Sequence, residues 1–296
     1  MTTQTTLPAK TRTFQQRRAA ARLNGRPNSG GYAYLALVLL IAIFPIWYAF
    51  SIASGDAKTI AQRSLFIWPG ENFFYNIGRV LDNSAVDFWS ALLNSIVVST
   101  TVAIAVVLFS TLSGYAFAKL NFPGRRGLLV FVIATMAVPT QLAVVPLFIA
   151  MAQLDLVGTL WAVILPALTS AFGVFWMTQY LEQALPYELI EAARVDGASM
   201  IRTFWSVGWP AARPAAAMLA LFTFIMTWTN FFWPFIVLDK DSRTLPVALS
   251  ALSNNYFDDY SLIMAGVLMS IVPLLLLFVV AGRQLVAGIM SGAVKG

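Results

Sequence analysis

The sequence contains no cysteine and no histidine among its 296 residues. Those absences remove disulfides, thiolate nucleophiles, iron–sulfur ligation, histidine bases and the usual zinc sites. No glycine-rich segment ending in Gly-Lys-Ser or Gly-Lys-Thr occurs, so the chain has no P-loop of its own for nucleotide. Charge is scarce as well, at 11% of residues, where an ordinary soluble domain carries about a quarter. With 59% hydrophobic residues and a mean hydropathy of +0.74, the chain belongs in a membrane. The formal charge of +6 does not point to nucleic acid, because the basic residues cluster beside the apolar runs, where membrane topology accounts for them.

Six runs are long enough to cross a bilayer: 32–52, 92–118, 127–151, 160–180, 215–238 and 262–282. The first exceeds a signal-peptide core of roughly 7–15 residues and reads as an uncleaved span. Residues 1–31 hold Lys10, Arg12, Arg17, Arg18, Arg22 and Arg26 with no acidic residue. Together with the second loop, the fourth loop and the C-terminus they hold fourteen of the nineteen Lys and Arg residues, which puts both termini in the cytoplasm. The expectation is an all-α polytopic membrane protein. It has a basic cytoplasmic segment (1–31), a six-helix domain (32–282) with an outer loop at 239–261, and a cytoplasmic tail (283–296). An outer stretch at 54–87 carries Phe66, Trp68, Phe73, Phe74 and Tyr75, suited to the membrane interface. Pro45, Pro139, Pro146, Pro166, Pro234 and Pro273 fall inside five of the six runs, which favours bent helices around a cavity.

The longest polar interruption in the second half runs from 186 to 214, PYELIEAARVDGASMIRTFWSVGWPAARP. Pro186 suits a first helical position, and Tyr187, Ile190 and Arg194 fall on one side of the helix that follows. Glu188 and Glu191 lie in its early turns, where the dipole favours negative charge. Gly197 can take the left-handed conformation that ends a helix, and Ser199 can cap a second one through Ile201, Phe204 and Trp205 to Pro210. Ala192, Ala193, Gly197 and Ala198 leave room for another backbone. Such a hairpin either lies on the bilayer surface or plugs into another protein.

No span carries an ionisable side chain near its centre, which argues against a proton relay. What the spans carry is neutral: Asn94, Thr100, Thr101, Thr135, Gln141, Thr178, Gln179, Thr227, Thr229 and Asn230. Asn230 stands among Trp228, Phe231, Phe232 and Trp233, and amides beside aromatic faces suit a hydroxyl-rich solute such as a sugar. Helix–helix hydrogen bonding and an aromatic belt account for the same residues in a purely structural way. The translocation-path candidates are Asn94, Gln141, Trp228 and Asn230. A lone channel lacks paired Asn-Pro-Ala motifs and a charged ring here. An intramembrane enzyme lacks an acidic pair, and Lys119 serves more simply as an interfacial anchor, so no catalytic residue and no metal site is expected.

Glu191-Ala192-Ala193, then Asp196-Gly197-Ala198, Phe204 and Pro210, resemble the coupling loop of ABC-importer permeases. Val207-Gly208-Trp209-Pro210 stands where that family shows isoleucine-x-leucine-proline, so Trp209 is a departure. The ending Gly282-Arg283-Gln284-Leu285-Val286-Ala287-Gly288 through Ser291-Gly292-Ala293-Val294-Lys295-Gly296 is similar to that of maltose-type carbohydrate permeases. Arg243-Thr244-Leu245-Pro246 and Met264-Ala265-Gly266 also look like that family's. At Trp228-Thr229-Asn230 the family more often places an acidic residue after Trp-Asn, and this chain lacks it. Residues 138–145 and 160–180 look most like permeases for plant-type oligosaccharides such as cello-oligosaccharides.

The resemblance implies a type I importer in which this chain is the second of two different permeases. Two ABC ATPase subunits would carry ATP and magnesium, so the chain itself needs no cofactor, and an extracytoplasmic sugar-binding protein would deliver the solute. It assigns Glu191, Ala192, Ala193, Asp196, Gly197 and Ala198 to ATPase coupling, and Ser291, Gly292 and Lys295 to a tail near the ATPase. It assigns Asn254, Asn255, Tyr256, Asp258 and Asp259 to contact with the binding protein.

Overall fold

The computed structural model describes residues 29–62, 66–253 and 259–293, the last thirteen by backbone alone. All regular structure among the described residues is helical. The chain divides into two compact units, residues 1–49 and 50–296. Most of helix α1 (Ser29–Ala53) belongs to the first; it is apolar all round, with Pro45 inside it, the pattern of a helix meant for lipid or for other helices.

The second unit is built on α4 (Phe88–Lys119), which follows the short helices α2 (Ala57–Gln62) and α3 (Phe73–Leu81). Its buried residues recur at helical spacing, Ala91, Ser95, Val98, Val102, Val106, Ser110, Gly114 and Phe117, and they are mostly small or β-branched. In lipid, helices associate through close packing rather than through the hydrophobic effect, so small residues decide who meets whom. Gly114 meets the backbone of Met177 and Thr178, and Gly173 meets Ser110. These pairs seat α4 against α8 (Ala171–Ala184) so closely that a Cβ on either glycine would collide.

Among the described residues five helices are long and apolar enough to cross a membrane, and a bent pair, taken as one span, makes six. That pair corrects the expected third span, 127–151. α5 (Arg125–Thr135) and the stretch Thr140–Gln153, which holds α6 (Val144–Gln153), meet at 90°. Pro139 stands at the break in extended geometry ahead of a single 3₁₀ turn, Thr140–Ala143; proline lacks the N–H that would carry the ladder on, and it disfavours helix in the residue before it. The fourth span breaks too: α7 (Trp161–Ile164) passes into a 3₁₀ turn around Pro166 before α8 restarts, its N-terminus capped by Ser170, which accepts from the Gly173 amide at 3.1 Å.

The hairpin helices are α9 (Tyr187–Val195) and α10 (Met200–Thr203), and the fifth span is α11 (Trp209–Trp228). Two expectations fail here. The hairpin's second helix does not stop at Pro210; it winds through a π turn, Phe204–Gly208, straight into α11, with Pro210 at its start. A widened turn accommodates a ring whose nitrogen has no hydrogen to give. The fifth span also does not reach residue 238, because α11 ends at Trp228 and a separate α12 (Phe232–Val237) follows. After the short helix α13 (Leu245–Leu249), α14 (Tyr260–Ala293) holds the last span, Tyr260–Val280, and continues as helix beyond it.

Polar contacts tie α3 to its neighbours. Asn76 donates to the carbonyls of Ala53 (2.9 Å) and Gly55 (3.1 Å), and Arg79 pairs with Asp259 at 2.8 Å. The Asp259 carboxylate also accepts from the amides of Ser261 and Leu262, which caps the start of α14.

Candidate functional site

The hairpin turn follows from its residues. Gly197 has a φ of +80°. The Ala198 amide donates to the Ala193 carbonyl (2.9 Å) and the Gly197 amide to Arg194 (3.0 Å), the paired bonds that close a helix through a left-handed glycine. Ser199 Oγ then accepts from the Arg202 amide, capping α10. Pro186 sits one residue ahead of the expected position, as the cap of α9.

One side of the hairpin is fastened to the bundle. The Tyr187 hydroxyl donates to the Lys119 carbonyl at 2.8 Å, Lys119 Nζ donates to the Glu182 carbonyl at 3.3 Å, and the ammonium lies 5.2 Å from the Tyr187 ring. Lys119 is therefore more than an interfacial anchor: it is buried and joins the ends of α4 and α8 to α9. Ile190 and Phe204 are buried beneath the hairpin, Phe204 edge-on to Tyr115 at 5.4 Å. The other side is open. Glu191, Ala192, Asp196 and Gly197 are exposed and Ala193 and Ala198 half-buried. A Cβ on Gly197 would meet nothing within 4 Å. Val195 and Ile201 are 87% and 74% exposed, with Leu189 and Met200 also open. Sequence reasoning missed these four as exposed; for Leu189 and Val195 the available signal was their placement off the Tyr187–Ile190–Arg194 side of α9.

A cavity of about 530 Å³ lies where the third and fourth spans break. Thr140, Gln141, Thr169, Ser170, Thr223, Thr227 and Asn230 supply its polar lining, Trp233 and Phe172 aromatic walls, and among the described residues no Asp, Glu, Lys or Arg lines it. Irregular backbone at membrane depth is tolerated where it borders such a space. Gln141 and Asn230 are exposed there, so two of the path candidates come together. The other two do not. Trp228 is buried at 3% exposure, stacked on Phe224 and donating to the Ser270 carbonyl at 3.2 Å. Asn94 donates to the Arg243 carbonyl at 3.1 Å, next to Ser95, which accepts from the Leu245 amide at 2.7 Å. Asn94 and Ser95 pin the segment at Arg243–Leu245 to α4, and Trp228 ties α11 to α14, the helix-bonding use of polar membrane residues. Trp233, one of the aromatic residues beside Asn230, lines the cavity and donates to the Ala162 carbonyl at 3.0 Å, which holds α12 on α7.

The remaining candidates are only partly visible. Asp259 is engaged with Arg79 and the start of α14, while Asn254, Asn255, Tyr256 and Asp258 lie outside the described residues. Ser291 and Gly292 continue the helical backbone of α14, and Lys295 lies outside the described residues. Among the described residues no cluster of three or more acidic side chains could hold a metal ion.

Spans that break around an uncharged cavity, with a helical hairpin strapped to the bundle ends, define a polytopic membrane permease. The chain belongs to the family of binding-protein-dependent transport system inner membrane components, whose model matches residues 107–286. It is 35% identical over 274 residues to the arabinooligosaccharides transport system permease protein AraQ of Halalkalibacterium halodurans, covering 90% of this chain and 95% of that one. The lactose transport system permease protein LacG of Rhizobium radiobacter is 32% identical, over 91% and 97% of the two chains. The sn-glycerol-3-phosphate permease protein UgpE of Yersinia pestis is 28% identical, over 87% and 94%. A crystal structure of a bacterial ABC transporter that imports the acidic polysaccharide alginate contains a chain superposing with a TM-score of 0.71. That chain is 26% identical, and the match spans 94% of this chain and 99% of that one.

Proposed function

We propose that the chain is the second permease of an ABC importer that moves a neutral disaccharide or oligosaccharide across the cytoplasmic membrane by alternating access. Cello-oligosaccharides fall within that class. ATP and magnesium act on two separate ATPase subunits, a second and different permease completes the path, and an extracytoplasmic binding protein delivers the sugar. Both termini face the cytoplasm.

The observation that carries the substrate class is the 530 Å³ cavity, where hydroxyls, amides and aromatic rings stand among aliphatic side chains with no charge among the described residues. A phosphate or uronate would need a fixed cation to offset its lost hydration. The likeness to UgpE favours a glycerol phosphate instead, and the uncharged lining weighs against it. The coupling role rests on the hairpin's open side. Exposed Val195, Ile201, Leu189 and Met200 around Ala192 and Gly197 form an apolar surface of the kind that binds protein. Glu191 and Asp196 supply acidic groups for basic residues in an ATPase groove. The strap at Lys119 and Tyr187, and the unbroken path from α10 into α11, would carry motion of the hairpin into the second, fourth and fifth spans. Coupling requires that each ligand bind the inward- and outward-facing states with different affinity. Asn254, Asn255, Tyr256, Asp258 and Asp259 are the proposed contact with the binding protein, and Ser291, Gly292 and Lys295 the proposed tail contact.

Titrating the cognate binding protein with arabino-oligosaccharides, cello-oligosaccharides, lactose and sn-glycerol 3-phosphate tests the substrate class. A neutral sugar should bind most tightly; tight binding of the phosphate ester alone would overturn the reading.

A further inference from the structure

Trp209, which no feature of the hairpin required, lines a second cavity. An apolar groove of about 590 Å³ runs between the second, fifth and sixth spans, floored by Ala103, Val107, Ala217 and Ala220 and walled by Phe224 and Leu277. Trp205 and Trp209 border it. Along the helix that begins at Met200, Trp205, Trp209, Arg213, Ala217, Leu221 and Phe224 recur at the three- and four-residue steps that share one face. Arg213 stands one turn from Trp209 and one turn from Ala217, both of which line the groove. Its side chain is exposed and has no ion pair among the described residues.

From Arg213 to Phe224 the helix rises about 16 Å, close to the roughly 15 Å of one leaflet's hydrocarbon. A guanidinium and two indoles therefore sit at one end of an apolar trough one leaflet deep. The phosphate of a lipid pairs with a guanidinium, indoles settle at headgroup level, and an acyl chain fits an uncharged trough. Floor residues as small as Ala103, Ala217 and Ala220 leave the width for it.

We propose that this groove is a binding site for one anionic phospholipid. Its headgroup lies on Arg213 and the indoles of Trp205 and Trp209, and an acyl chain lies along Ala217, Ala220 and Phe224. The charge separates an anionic lipid from a zwitterionic one, so the site selects rather than merely being wetted by the bilayer. Its occupant would brace the junction at which the hairpin runs into the fifth span.

The test is native mass spectrometry of the intact complex released from nanodiscs of equal phosphatidylglycerol and phosphatidylethanolamine. Wild type should retain phosphatidylglycerol in preference. Arg213→Gln should weaken that retention about fivefold, the effect of one arginine at an anionic surface, and Arg213→Lys should preserve it. Ala220→Phe, which fills the groove, should lower retention of both lipids. Because Arg213 is exposed, its variants keep the test decisive if Ala220→Phe does not assemble. Equal retention by wild type and Arg213→Gln overturns the proposal. So does a wild-type complex that carries no lipid because a helix of another subunit covers the groove.

Discussion

Replacing Gly197 separates what the hairpin does for its own fold from what it does for a partner. At φ +80° an L-residue is strained, by about 1–2 kcal/mol, with Asp and Asn near the lower end because they visit that region. Space inside the chain adds nothing, since a Cβ there meets no atom within 4 Å. Gly197→Asp and Gly197→Asn should therefore cost the hairpin about the same, roughly 1 kcal/mol, and Gly197→Ala somewhat more. The turn's two closing hydrogen bonds and the buried Ile190 and Phe204 remain in all three. If the open side docks into a groove, the order in transport is different. Asp places a carboxylate against the partner and should cut ATP-driven uptake by proteoliposomes at least tenfold, while Asn and Ala lose less. The thermal midpoints of the three purified variants supply the fold side of the comparison. Wild-type uptake by Gly197→Asp, or losses that follow backbone strain with Ala worst, would refute a docking role.

Other predictions follow from the same geometry. Gly114→Ala drives a Cβ to within 2.6 Å of Met177 and should destabilise the chain by about 1–3 kcal/mol, read as a lower thermal midpoint in detergent; Gly127→Ala, with nothing within 4 Å, should be neutral. Gln141→Leu and Asn230→Leu should lower sugar flux or alter its selectivity with little change in stability. Asn94→Ala and Trp228→Phe should do the reverse, measured by uptake kinetics beside thermal unfolding. Burial alone would raise the Asp259 pKa, but hydrogen bonds from Ser261, Arg79 and the Leu262 amide, together with the Arg79 charge, outweigh it and set the carboxyl below its usual value of 3.8. A lowered pKa contributes stability that is present above the unfolded value and lost as pH falls through the folded one. The junction of α3 with the start of α14 should therefore loosen only below about pH 4, and by no more than about 1 kcal/mol, because the pair is partly exposed. Hydrogen exchange at the start of α14 would follow this, and Asp259→Asn should abolish it.

The hairpin was largely legible because its signals are local. A glycine that must be left-handed and a serine three residues before the amide it caps fix a turn without any partner. The bends were less so: prolines in five runs announced distortion, but whether Pro139 kinks or breaks its helix depends on what packs beside it. Pro210 misled for the same reason, since a proline that usually ends a helix is absorbed by the π turn at Phe204–Gly208. Among the neutral polar residues, sequence could not separate Gln141 and Asn230, which face the cavity, from Asn94 and Trp228, which bond carbonyls of outer loops and spans far away in the chain. A side chain's role in a bundle is set by which carbonyl lies opposite, and that is a property of the packing.

The central claim is that this permease moves its sugar only when coupled to partners that hydrolyse ATP and deliver the solute. The direct measurement is uptake of the cognate radiolabelled sugar into vesicles holding the chain with its partner permease and ATPase. It is read with and without internal ATP and with and without the binding protein outside. Accumulation against a gradient that vanishes when either is withheld is the predicted result. Equal uptake without ATP or without the binding protein would mark a facilitator and contradict the account.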